Sequence, residues 1–468
     1  MIDFLLIPSY DGNMNTHSVT ESTSLLEFVA AAWEHWRYAP DQQFWQKEFD
    51  YPAVDLPMAL QDTADGWYFA HPQGQEQCGL GAAMRWQTTS SQDFIDMERE
   101  RLKLLAAGLS SKTTLGGGFA FDASDSHDEA WAAFGHARWV LPALYIHQSE
   151  GQAHIVVTVY PKHFASAQDA VQYYGTLWAA VDRPQRPDSK DPVPVLSQNM
   201  IPPSSQWMAL VEEATAAIQQ GLLHKVVVAR RVDTTFAAPL AVGHLLHTLH
   251  HHNPSTTIFG LRAQGQTFLG ATPELLLSIH DHTLETMALA GTTARQPSAS
   301  ADAHAAQMLM NSAKNRREHD AVVNRIVDTL RPYADLHVPQ APQILTLANV
   351  HHLWTPIQGG VRGDQSLWSL ALKLHPTPAV GGEPRTVAQQ WLRTHEGLDR
   401  GWYAGSVGTM DLKGQGSLWV ALRSALVAGN RASCYAGCGI MHDSDPHKEL
   451  EESEWKLQAM LNALGVKS

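Results

Sequence analysis

Glu449, Glu452 and Lys456 are spaced three and then four residues apart, so a helix through them puts two carboxylates and an ammonium on one face. The helix start is well marked: Asp445 is a capping side chain, and Pro446 suits the first helical position. Ahead of it lies Ala436-Gly437-Cys438-Gly439, whose small residues let backbone N–H groups approach a ligand closely. Alone, this segment also reads as a solvated acidic helix with an ordinary Glu-to-Lys pair. A magnesium site needs a carboxylate from elsewhere, because that ion takes oxygen ligands and usually keeps some water or substrate. Glu318 is available, just ahead of the apolar run Val322, Val323, Ile326, Val327 and Leu330, although by itself it reads as a surface residue. Lys225 opens the strand-like run KVVVARRV. A lysine there is ordinarily solvated; desolvated and near other cations, it becomes a general base. Glu274 closes the turn Gly270-Ala271-Thr272-Pro273-Glu274 between two predicted strands. Exposed, it is inert; buried, its raised pKa makes it a general acid.

These groups are spread over more than two hundred residues, so several elements must bring them together. Helices are predicted over Ser205–Gln220 and Leu240–Leu249, and one long helix over about Ala303–Leu330. Strands are predicted over Lys225–Val232, Thr257–Leu261, Thr267–Ala271, Leu275–His280, Ala404–Leu412, Gly416–Val427 and Ala432–Ile440. The short turn Leu412-Lys413-Gly414-Gln415 implies antiparallel pairing. Upstream, Ser24–Trp36 and Asp93–Leu109 read as helices, and Leu80–Met84 and His154–Tyr160 as strands. Thr114–Asp122 reads as a strand with a glycine bulge or turn in front; its contiguous glycines, with no helix behind them, are not a dinucleotide fingerprint. The stretch 182–204, rich in Pro, Asp and Ser, is the linker candidate and separates residues 1–195 from 200–466. The class is α+β, with helices covering antiparallel sheet.

The 468 residues are 44% apolar and 17% charged, a globular composition. A formal charge of -14 lacks the basic footprint of nucleic-acid binding and disfavours anionic membrane surfaces. A small dianion remains a possible ligand if cations are concentrated locally, for instance by a metal held on carboxylates. Cys78, Cys434 and Cys438 are too sparse for a disulfide framework and read as plain buried thiols. His250–His252 reads as a solvated helix end. The start MIDFLLIPSYDG makes a poor signal peptide, and no stretch approaches the roughly 18 apolar residues of a membrane span, so the cytoplasm is expected.

Nine segments together resemble the chorismate-utilising enzyme family: HKVVVAR (224–230), FLGATPELLL (268–277), LAGT (289–292), SAKNRREH (312–319), HHLWTPIQG (351–359), HPTPAVGG (375–382), DRGWYAGSVG (399–408), ALRSAL (421–426) and YAGCGIMHDSDPHKELEESEWK (435–456). They follow family order over more than half of the chain. The resemblance implies an anthranilate synthase component I-like fold, with two large antiparallel sheets packed together and helices outside. Residues 1–195 would contribute to the same body as the chorismate-binding region 200–466. It implies that Glu318 and Glu452 hold magnesium, with Glu449 close by through water. Arg423 and Tyr403 would grip the enolpyruvyl carboxylate of chorismate. Lys456 and the Gly437 backbone would add donors, and Gly291, Thr292 and His352 would line the ring site. Lys225 would deprotonate a water that attacks ring carbon 2, and Glu274 would protonate the hydroxyl leaving carbon 4.

Within the family, a lysine at this position resembles the members that use water rather than ammonia, and PTPAVGG resembles the isochorismate-forming group. WYAGSVG, LRSALV and the long N-terminal half resemble the menaquinone-pathway members. The resemblance therefore implies an isochorismate-forming isomerase of menaquinone biosynthesis with no obligate glutaminase subunit. The alternatives are a siderophore-pathway isochorismate synthase or a salicylate synthase. An alternative of another class is a non-catalytic chorismate-binding or glutaminase-partner subunit. Cys438 stands where the family usually has Ala, which would make the site sensitive to oxidation.

Overall fold

The strand Lys225–Phe236 is buried along its first six residues, which explains why the sequence there is nearly continuous Val and Ala instead of alternating. It pairs antiparallel with Arg431–Ile440 along one edge, and with Val195–Ile201 and Gly382–Glu383 along the other. The computed structural model describes residues 16–39, 43–88, 93–107, 109–110, 113–122, 129–182 and 192–466. The chain start and the middle of the linker candidate lie outside the described residues. Among the described residues there is a twelve-stranded sheet and a ten-stranded sheet.

Both halves of the chain contribute to both sheets. In the larger sheet Gly66–Ala70 pairs with Thr257–Ala263; in the smaller one Thr114–Phe119 pairs with Ser406–Asp411. One apolar cluster joins the sheets, drawing Trp67, Phe259 and Phe268 from the first and Trp139, Leu277 and Val407 from the second. A second cluster joins the larger sheet to helices: Leu25 and Val29 of Thr16–Tyr38, Tyr174 and Trp178 of Ala167–Val181, and Leu457 and Met460 of Pro446–Ala463. The architecture is two antiparallel sheets face to face with helices outside. No helix among the described residues is long and apolar enough to cross a membrane.

Several expected elements are placed differently. Leu80–Met84 is not a strand but the corner between strands Glu76–Leu80 and Met84–Thr88, which belong to different sheets. The predicted long helix is two, Ala299–Asn311 and Ala313–Leu330, broken at Ser312, whose hydroxyl caps the second by accepting from Asn315 N. Gly416–Val427 is likewise two strands, Gly416–Val420 in the smaller sheet and Ser424–Ala428 in the larger. The end of the linker candidate, Val195–Ile201, is a strand. Thr114–Phe119 keeps an unbroken register with both neighbours, so its glycines form neither bulge nor turn. Gly116 instead lies against the Trp67 indole, where a Cβ would overlap the ring. The strand Val350–Val361 goes unread in the sequence because Pro356 argues against a central strand. It is tolerated because Pro356 falls between the two short partners on that edge, which pair with residues 351–354 and 358–361. His250–His252 is the last turn of Val242–His252, at the surface as expected.

A buried ion pair anchors the strand of Lys225. Arg400 and Glu396 are 2.6 Å apart, their side chains 3% and 4% exposed. Glu396 also accepts from Ala229 N at 2.7 Å, and Arg400 donates to the carbonyls of Val227 and Val380 at 2.6 and 2.9 Å. Arg400→Met leaves a buried, unneutralised carboxylate. It is expected to lower the unfolding free energy by about 3–5 kcal/mol, seen as a fall in the urea midpoint at constant slope.

Candidate active site

Two chain crossings between the sheets run side by side and set the geometry of the site. Pro273-Glu274 links Gln266–Thr272 of the larger sheet to Leu275–His280 of the smaller. Ala421–Arg423 makes the reverse crossing. They are stitched together by Thr272 Oγ1 donating to Val420 O at 2.6 Å, Val420 N to Glu274 O at 2.9 Å, and Ala271 N to Arg423 O at 3.1 Å. Arg423 turns the corner with φ 48, a backbone conformation a non-glycine residue seldom adopts. Strain of this kind persists only where the surroundings impose it.

A cavity that opens to solvent lies against these crossings. Glu274, Gly291, Thr292, Glu318, His352, Tyr403, Arg423, Gly437, Glu452 and Lys456 all line it. Lys225 stands just behind this wall, its Nζ 2.8 Å from Glu318 Oε1. Glu449, one turn ahead of Glu452, is 4% exposed and receives a hydrogen bond from Ser444 Oγ at 2.8 Å. The sequence reading missed the apolar part of the lining, which includes Leu289, Ala379, Val380 and Leu422. It also missed Lys314, 3.4 Å from Glu449, and Asn349, whose Oδ1 is 3.4 Å from Arg423 Nη1. Apolar positions and a helix-end lysine carry no sequence signal that separates lining from core or surface.

The electrostatics divide the site into an acid end and a cationic wall. Burial pushes the Glu274 carboxyl up to about 8, against the pull of Lys225 and Lys456, so it is protonated at neutral pH. Burial also opposes ionisation of Glu318, but the charge and hydrogen bond of Lys225, with Lys456 and Lys314 behind, hold it below the usual range. Burial, with the charges of Arg423 and Lys456, pushes His352 well down, so its ring is neutral. Its Nδ1 lies 3.0 Å from Thr292 Oγ1, and its Nε2 accepts from Arg423 Nη2 at 3.3 Å. Burial lifts Tyr403 to about 12, which keeps its hydroxyl a donor. Tyr403 stacks on Tyr435 with ring centroids 5.2 Å apart. Arg423 is 8% exposed, and among the described residues no carboxylate lies within ion-pair distance of it. A guanidinium buried without an ion-pair contact, with Glu452 the only carboxylate charge acting on it among the described residues, is suited to receive an anion.

The carboxylates could hold a cation. Glu449, Glu452 and Cys438 offer ligand atoms within 4.8 Å of one another. Burial raises Glu449 to about 7, with the charges of Glu452 and Glu318 adding to the rise, so a dication would relieve a real repulsion. The donor set is mostly carboxylate oxygen, which suits a hard ion. In the sequence reading Glu318 and Glu452 are the primary pair with Glu449 in attendance. In the structure the close pair is Glu449 and Glu452, while Glu318 engages Lys225 across Gly439. A Cβ at Gly439 would sit 2.6 Å from Glu318 Oε1, so a larger residue there would displace the Glu318 carboxylate or the Lys225 side chain. Lys456 donates to Gly437 O at 2.9 Å and pairs with Glu452 at 2.7 Å. Cys438 is fully buried, its thiol pushed well up by burial and by Glu452, and it donates to Glu449 O at 3.2 Å. Such a thiol is protonated and shielded, which argues against the expected sensitivity to oxidation.

Comparison with known proteins matches this arrangement to one family. The family described as "Chorismate binding enzyme" matches residues 32–465. The salicylate biosynthesis isochorismate synthase of Pseudomonas aeruginosa is 37% identical over 82% of this chain and 82% of its own. Isochorismate synthase MenF of Escherichia coli is 31% identical over 88% of this chain and 93% of its own. The solved structure of the menaquinone-specific isochorismate synthase MenF from Escherichia coli superposes with a TM-score of 0.77, at 29% identity, covering 96% of this chain and 100% of that one. Anthranilate synthase component I from Streptococcus pneumoniae, at 18% identity and a TM-score of 0.65 over 89% of this chain and 92% of its own, shares the fold. A family match running from the first helix to the last, with relatives aligned over most of both chains, makes this chain a member of the chorismate-binding enzymes.

Proposed function

We propose that this chain is an isochorismate synthase, an isomerase that moves the hydroxyl group of chorismate from ring carbon 4 to carbon 2. The observation that carries the reading is the pairing of a buried acid and a buried amine beside a buried guanidinium: Glu274, Lys225 and Arg423. Kinship to isochorismate synthases over more than four fifths of both chains supports it.

Chorismate carries two carboxylates. Arg423 binds the enolpyruvyl carboxylate, with Tyr403 adding a single donor. Glu318, Glu449 and Glu452 would hold magnesium, which would offset the charge of the ring carboxylate. Gly291, Thr292 and His352 line the ring face, and Lys456 and the Gly437 backbone complete the wall. Lys225 enters the step as the neutral amine, having released to solvent the proton it shares with Glu318, and its Nζ then accepts a proton from water as the water oxygen bonds to carbon 2. The ring double bonds shift, the bond from carbon 4 to its hydroxyl breaks, and Glu274 gives that oxygen its proton. One water enters and one leaves, so the product is an isomer. The enzyme works in the cytoplasm without a glutaminase subunit, since water and not ammonia is the nucleophile.

Proton NMR of chorismate incubated with the protein tests the reading. Isochorismate is expected in the presence of magnesium. Addition of EDTA is expected to reduce turnover to background, and excess magnesium to restore it. Salicylate with pyruvate as the main products would make the chain a salicylate synthase, and activity only with ammonia would assign it to the amine-adding members. We place the product in menaquinone biosynthesis, supported by the alignment with Escherichia coli MenF over nearly its whole length. The second reading is supply of isochorismate for salicylate, favoured by the 37% identity to the Pseudomonas protein. Rescue of a bacterium that lacks its menaquinone-specific synthase separates the two.

A further inference from the structure

The helix Ala313–Leu330 meets the strand Thr283–Ala294 at one irregular point. Pairing of that strand with Val350–Val361 shifts register between Ala290 and Thr292, which makes Gly291 the extra residue of a bulge. Gly291 has φ 82, and a Cβ there would come within 3.2 Å of Asn315 in the first turn of the helix. One turn further on, His319 is completely buried. Its Nδ1 lies 3.2 Å from the carbonyl of Ala290, at the edge of the bulge. That oxygen can only accept, so Nδ1 carries the hydrogen. Nε2 lies 2.7 Å from Thr355 Oγ1 on the neighbouring strand. A single ring therefore ties the helix to both strands that carry Gly291, Thr292 and His352. The preceding residue in the helix is Glu318.

The rest of the buried helix face is Val322, Ile326 and Leu330. Apolar contacts hold the helix against the sheet but are non-directional, so they fix its rotation and axial register less sharply than directed hydrogen bonds do. The two hydrogen bonds of His319 constrain both, at the turn where the carboxylate leaves the helix. We propose that His319 is a positioning residue of the cation site: anchored to the bulge carbonyl and to Thr355, it sets where the Glu318 carboxylate stands relative to the Gly291–Thr292 wall. This rests on the reading of Glu318 as a magnesium ligand.

Three substitutions test it, each followed by calorimetric titration with magnesium, by kcat and KM for chorismate, and by thermal unfolding. His319→Leu keeps much of the ring volume but loses both bonds. It is expected to weaken magnesium binding by about 10- to 100-fold, the range found when groups that orient metal ligands are removed, and to raise KM. His319→Asn places an amide N–H near the position of Nδ1 and is expected to recover most of that loss. Thr355→Val removes only the second anchor and is expected to shift magnesium affinity in the same direction by a smaller factor. A His319→Leu protein with lowered thermal stability but parental magnesium affinity and KM overturns the proposal, because packing alone would then account for the residue. Should His319→Leu not fold, parental magnesium affinity in Thr355→Val together with failure of His319→Asn to differ from an alanine variant overturns it equally. A parent protein that binds no magnesium at all removes the underlying reading, and the proposal with it; that failure is distinct because it shows before any substitution.

Discussion

Glu274→Gln is expected to lower kcat by about 10²- to 10⁴-fold, the usual contribution of a positioned acid, and at the same time to make the protein harder to unfold in alkaline solution. Both effects come from one carboxyl group. Burial raises it from 4.5 to about 8, so near neutral pH it carries a proton available to the leaving hydroxyl of the proposed reaction. Parent activity should therefore decline as pH rises through about 8. In the unfolded chain the same group ionises near its ordinary value. Between the two pKa values the folded state holds a proton that the unfolded state has released, so stability falls as pH climbs across that window and levels off above it. Gln has no proton to lose and escapes the penalty. The variant's advantage should be absent at about pH 4, grow through neutrality and reach the order of a few kcal/mol by about pH 9. Urea unfolding at both ends of the range, with turnover measured on the same samples, checks it. A variant that retains activity, or whose stability advantage does not widen with pH, would sink the acid assignment.

Lys225→Ala is expected to reduce turnover by a similar factor, about 10²- to 10⁴-fold, but alanine also strips Glu318 of its ion-pair partner at 2.8 Å. Lys225→Gln is the sharper experiment. Its amide can still donate to Glu318 and hold that carboxylate in place, yet it cannot accept a proton from water. If Lys225 is the base, both variants are inactive, and the glutamine variant binds chorismate and magnesium within a few-fold of the parent. Product formation by proton NMR and binding by calorimetry separate the two demands. Turnover in the glutamine variant within tenfold of the parent would assign the proton transfer to another group.

The residues of the site were easier to read in the sequence than the geometry that joins them. The capped final helix announced itself through Asp445 and Pro446, and it begins where expected. The spacing of Glu449, Glu452 and Lys456 followed from helical periodicity alone. The pairing of carboxylates did not, because which oxygen meets which ammonium depends on distances between elements far apart in sequence. The crossings at Glu274 and Arg423 were also illegible. Gly416–Val427 reads as one apolar strand since nothing in its composition marks a passage from one sheet to another. The only clue is Ala421-Leu422-Arg423, and a left-handed arginine cannot be inferred from residue type. The break at Ser312 was hidden for the opposite reason: a serine inside a helical pattern looks ordinary until its hydroxyl is seen capping the helix Ala313–Leu330.

The interleaving of the two chain halves bears on how this protein is made. Gly66–Ala70 emerges from the ribosome nearly two hundred residues before its neighbour Thr257–Ala263, and Thr114–Phe119 waits still longer for Ser406–Asp411. Each has one partner close in sequence, Glu76–Leu80 and Ala137–Leu141 respectively; until the distant one arrives, the other edge stays open and can recruit another chain. A nascent chain with so many distant partners folds late and slowly, so its yield in a cell should depend more on chaperone capacity than on the stability of the finished molecule. A gene fragment starting near residue 200 would strand the complementary edges permanently, and should give insoluble protein even though it encodes every residue that lines the cavity.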